Sequence, residues 1–120
     1  MEQFALMIYQ GTTPLPGTDE WEALPKDEQT KVYADYASLN QTPGVTPGPP
    51  LGLPGDARTV VVKEGTVDVR EGAHLGHEGA VGGFLVLEAD DLDAAIALAA
   101  RIPAARLGGA IEIRPMAKYW

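Results

Sequence analysis

The chain has 120 residues, enough for one domain with a core of its own and too few for two. Seventeen acidic against nine basic side chains leave a net charge of −8, and the basic ones form no run, so a nucleic-acid backbone would be repelled. Cysteine is absent, which removes disulfides, thiolate metal sites and cysteine nucleophiles together and fits a reducing compartment.

Gln3–Gln10 (QFALMIYQ) is a continuous apolar run with aromatic and branched members, which predicts a buried strand. Its flank has neither the basic residues nor the length of a secretion signal, and no stretch approaches the ~20 apolar residues of a membrane span. A cytoplasmic protein without a membrane partner is expected. Residues 11–18 (GTTPLPGT) form a loop. A helix follows, with Pro25 in its first turn, Asp27 and Glu28 at the positive end of its dipole, and Val32, Tyr36 and Leu39 on one face beside Tyr33. It stops near Asn40. Residues 41–57 hold five prolines and four glycines, which predicts a long ordered loop with at most a short edge strand near Leu51–Leu53. A loop of that length in a compact domain is usually functional or disordered.

Two β-branched runs, TVVVK and TVDVR, flank Glu64-Gly65 and predict a two-residue hairpin. Residues 71–81 are Gly-rich and irregular. Gly82–Glu88 is a second buried strand. Asp90 and Asp91 precede Leu92, Ile96 and Ala99, with Ala95 and Leu98 filling the face, so a helix runs to about Ile102 and Pro103 ends it. The closing strand is Ala110–Arg114, where Arg114 is expected in a strand-face ion pair. The order β–α–β(hairpin)–β–α–β predicts an α+β, ferredoxin-like antiparallel sheet with two helices on one face, as a single domain over 1–120. The first strand is apolar on both faces, with Phe4, Leu6 and Ile8 opposed to Ala5, Met7 and Tyr9, and Gly82–Glu88 behaves likewise. Two helices cover only one face of such a sheet. A second copy covering the other, in a two-fold homodimer, is the expected remedy.

Both histidines of the chain lie between residues 71 and 78, as His74 and His77, together with Glu71 and Glu78. Histidine oriented by a carboxylate is a normal acid/base unit near neutral pH, and His74 is expected to face inward ahead of His77, beside Glu71, Glu78 or an acid of a second copy. A wet surface loop is the plain alternative. His-x-x-His-Glu also carries a weak zinc-like pattern, although glycines disfavour the helix that would bring the imidazoles together; no bound metal and no cofactor is expected. Tyr9, Trp21, Tyr36 and Phe84 are candidates to line a small-molecule pocket, with core packing as the competing role. Gly82-Gly83 precedes a strand and not a helix, so it is no phosphate cradle.

The stretch GGFLVLEADDLDAAIALAARIPAARLGGAIEIRPM resembles the YCII-related family, in the branch named for a DGPF motif. The likeness is carried by Gly82-Gly83-Phe84, by Ala100-Arg101-Ile102-Pro103-Ala104-Ala105, by Glu112-Ile113-Arg114-Pro115, and by Trp21-Glu22-Ala23-Leu24 before the first helix. The resemblance implies a dimeric α+β barrel similar to muconolactone isomerases. It also implies cofactor-free lyase or isomerase chemistry on ring compounds, for which relatives are credited with a His-Asp pair, and an association with sigma factors of the extracytoplasmic-function class. Counted back from Gly82, the naming motif falls on Glu71-Gly72-Ala73-His74, where only the glycine matches and the acid is one methylene longer. His77-Glu78 stands where the family has a threonine-lysine-like pair. Two functions are therefore expected to compete: a lyase- or isomerase-type enzyme using a loop histidine with a carboxylate, or a non-catalytic ligand-binding or regulatory protein of a sigma-factor or biosynthetic system.

Overall fold

A computed structural model describes residues 1–119. Its main sheet contains β1 (Glu2–Tyr9), β2 (Val45–Pro47), β5 (Val81–Ala89) and β6 (Ala110–Pro115), in the order β2-β5-β1-β6 with every pairing antiparallel. Helices α2 (Lys26–Asn40) and α3 (Leu92–Ala99) lie on one face, preceded by a single turn, α1 (Asp19–Glu22). The architecture is the ferredoxin-like α+β sheet that the sequence pattern predicts. Side chains alternate on a strand, so Phe4 and Leu6 of β1 and Leu85, Leu87 and Ala89 of β5 face the helices. There they meet Leu39, Ala95, Leu98, Ala99 and Ile102 in one core. Leu6, Leu39 and Ile102 are fully enclosed, and each such side chain gains about 1.5–3 kcal/mol on burial.

Local chemistry explains the helix starts. Thr18 Oγ1 accepts from Trp21 N, and Asp91 Oδ1 accepts from Ala94 N at 2.9 Å, each satisfying an orphan donor of a first turn. Buried Gln29 donates through Nε2 to the carbonyls of Trp21 and Leu24, which ties α1 to α2. Trp21, expected in the lead-in to the first helix, belongs to a short helix of its own. The inner face of α3 is Ala95, Leu98 and Ala99, while Leu92 and Ile96 stand half-exposed. Small alanines let this helix lie close to the sheet.

Two expectations need correction. The edge strand is Val45–Pro47 and not the Leu51–Leu53 region. It pairs with β5, and the chain continues along the same edge, Gly48 N donating to Phe84 O and Leu51 N to Gly82 O. That edge of β5 is therefore taken, and the hairpin of β3 (Arg58–Lys63) and β4 (Thr66–Glu71) forms a separate two-stranded sheet. Its turn is as predicted: Glu64 and Gly65 both adopt positive φ, 51° and 79°, the geometry a right-handed twist requires of a two-residue loop.

Candidate functional site

A cavity of about 450 Å³ opens between the inner face of the sheet, α2, the loop after β1 and the proline-rich loop after β2. The sheet contributes Ile8, Gly83 and Leu85, and α2 contributes Val32, Tyr33 and Tyr36. Residues 47–51 wall the outer side, held there by the hydrogen bonds of Gly48 and Leu51 to β5. Most of this lining is apolar, and the size suits a small organic molecule.

Gln10 and Thr13 bring polar groups to the cavity where β1 runs into its loop, and Tyr33, Tyr36 and Asn40 bring others from α2. Gln10 is 2% exposed and lines the cavity. Its backbone N donates to Ala80 O at 3.1 Å, and its side-chain Nε2 lies 3.3 Å from His77 Nε2. With the amide donating, the imidazole accepts at Nε2 and carries its proton on Nδ1; the Gln10 carbonyl is then left for the cavity, beside Gly82. Thr13 also lines the space, and its buried hydroxyl has no hydrogen-bond partner among the described residues. Gly109 allows that placement: a Cβ there would stand 2.3 Å from Tyr9 O and 2.9 Å from Thr13 Oγ1. Burial pushes the Tyr36 phenol above its ordinary range, so it stays a neutral hydroxyl near pH 7.

Of the expected site residues, Tyr36 and Phe84 line the cavity. Tyr9 and Trp21 do not. Trp21 is buried, its ring edge-on to Tyr33 with centroids 5.4 Å apart, so it supports the wall from behind. His77 is exposed yet reaches the cavity through Gln10, whereas His74 is exposed on the loop. Glu71 and Glu78 are exposed as well, and neither pairs with an imidazole. The glycines at 72 and 76, both at positive φ, turn the loop, and of the two histidines His77 meets Gln10, just past the end of β1. Among the described residues, no three His, Asp or Glu side chains come together as a metal site. Gln10 and Thr13 leave little trace in the sequence beyond a polar residue closing an apolar strand, with a hydroxyl three positions on.

A second, smaller cleft of about 230 Å³ lies between α2 and the segment after α3 and is polar. Arg106 pairs with Glu28 and with Asp35 at 3.4 Å, Lys31 pairs with Asp35 at 3.1 Å, and Arg101 donates to the Ser38 hydroxyl at 3.2 Å. These contacts join elements, and they set three cations, Lys31, Arg101 and Arg106, against two carboxylates, Asp35 and Glu28. Arg114 pairs with Glu112 at 3.0 Å on the strand face, as expected.

Sheet order, helix placement and the cavity define a ferredoxin-like α+β protein with a ligand-sized space under its first long helix. The model of the YCII-related domain matches residues 17–119, and the chain belongs to that family. A search of curated proteins found no match. Among the described residues no helix is long and apolar enough to cross a membrane.

Proposed function

We propose that this YCII-related protein binds a small, mainly apolar molecule in the cavity beneath α2 and acts on it without a cofactor, as a lyase or isomerase. The observation that carries the reading is the contact of His77 Nε2 with Gln10 Nε2 at 3.3 Å. It sets an imidazole directly behind Gln10, at one end of an otherwise apolar space. In this reading Gln10, and not Glu71 or Glu78, orients the imidazole. The Gln10 carbonyl and the Thr13 hydroxyl meet a polar group of the ligand, and its ring rests on Tyr36 and Leu85, with Phe84 at the rim. We place the chain in the DGPF-named branch on Gly82-Gly83-Phe84 and Glu112–Pro115, with Glu71-Gly72-Ala73-His74 in place of the signature, and regard it as cytoplasmic and as a two-fold homodimer through the outward sheet face.

A non-catalytic binding or regulatory role is the second reading, favoured by the lack, among the described residues, of a carboxylate paired with either histidine. One experiment separates them. A panel of cyclic ketones and lactones is screened by NMR for shifts of the Gln10 side-chain amide, and bound members are then assayed for exchange of carbon-bound hydrogen with deuterated water. Chemistry predicts exchange that falls by about 10²–10⁴ in His77→Ala with binding retained. Binding without exchange establishes the second reading, and an unshifted Gln10 amide across the panel overturns both.

A further inference from the structure

The β3–β4 hairpin carries a face that the rest of the chain leaves open. Val60 stands opposite Val69 and Val62 opposite Val67, which puts four valines on one side, each 60–63% exposed. A two-stranded hairpin by itself is marginal in water. This one is tied to the rest of the chain at its root, where Gly72 N donates to Ala57 O at 2.8 Å and Thr59 Oγ1 to Gly72 O at 2.9 Å. The radius of gyration is 16.0 Å, against about 13.5 Å for a compact domain of this length, as an extended arm requires.

The same chain offers a second unfilled surface. Met7 stands opposite Phe84 and Ala5 opposite Val86 on the sheet face turned away from the helices, and Phe84 is 44% exposed. The shortest dimension of the molecule is 19 Å, which one sheet and one layer of helices fill. We infer that the hairpin is a clasping arm, whose valine face lies on the outward sheet face of a second copy of this chain while the partner's arm does the same in return. The inference rests on the homodimer proposed above and adds how it closes.

Two observations favour a second copy as the occupant. A stable interface needs about 800 Å² per partner, more than four partly exposed valines offer, so the arm needs a second apolar surface such as the outward sheet face. The chain carries −8, yet residues 58–71 hold three basic and three acidic side chains, so two acidic copies meet with least repulsion at the arm. An exchange of unlike patches also closes on itself at two copies.

Light scattering at micromolar concentration tests it. The expected result is twice the 12.7 kDa chain mass for the wild type, and a dissociation constant weakened at least a hundredfold in the double variant V62K/V69K with its helical circular dichroism retained. A wild type of single mass overturns the dimer and the arm with it, whereas a dimeric double variant overturns the arm alone. Should the double variant misfold, the cysteine-free background provides a second measurement. Met7→Cys and Val62→Cys proteins, mixed and oxidised, are expected to give a disulfide between unlike chains, and crosslinking only within like pairs, or none, overturns the arrangement.

Discussion

A glutamine that is 2% exposed at the end of an apolar strand has to place both halves of its amide, because each buried group left unpaired costs about 1–3 kcal/mol. In Gln10 the nitrogen is met by His77, and the carbonyl lies beside Gly82. If the imidazole gains a proton it no longer accepts at Nε2, and the amide has to reverse and turn its nitrogen toward the ligand. Thr13 depends in turn on Gly109. We expect Gly109→Ala to lower stability by about 1–3 kcal/mol in urea unfolding, the range for overpacking, and to weaken ligand binding at the Thr13 end. The sequence discloses the 71–78 window by its concentration of titratable side chains, but it points to His74 as the inward imidazole, whereas His77 is the one that meets Gln10. Gln10 stays hidden, since its partner lies 67 residues away and nothing in the strand pattern points across that distance. Tyr9, Trp21, Tyr36 and Phe84 divide between core, wall and surface for a similar reason: an aromatic residue type serves a pocket and a core equally well.

Strands and helices with a clear period are legible in the sequence: β1, α2, β5, α3 and β6 fall within a few residues of their expected limits. The hairpin strands are equally visible, from their β-branched runs. Their exclusion from the main sheet is decided by Val45–Pro47, a three-residue strand too short to leave any period. The tie between α2 and the segment after α3 concerns charge and predicts a pH dependence. Lys31 and Arg106 hold the Asp35 carboxyl below its ordinary value of 3.8. A depressed folded value means that the carboxylate stabilises the fold above its unfolded pKa and that this contribution fades as pH falls through the lower, folded one. Asp35→Asn is therefore expected to be less stable than the wild type at neutral pH, and the difference measured by urea unfolding should close at pH values below 3.8.

At the scale of the whole molecule, one extended feature sets a separate thermodynamic unit beside the main sheet. The hairpin's backbone hydrogen bonds are its own cross-strand pairs plus the contacts at its root. Local opening there need not disturb the core around Leu6, Leu39 and Ile102, so its amides report a free energy different from that of global unfolding. A clasp between two copies adds the association free energy to that local term, and association depends on concentration. Amides of Val60–Val62 and Val67–Val69 should exchange with deuterated water more slowly as protein concentration rises, while those of β1 and β5 exchange at rates set by the core. Equal exchange in the hairpin at nanomolar and micromolar protein would show that its backbone is shielded by nothing the second copy provides. With the dependence present, dilution alone would unfasten the arm from a folded sheet, and limited proteolysis would then cut first between Lys63 and Thr66.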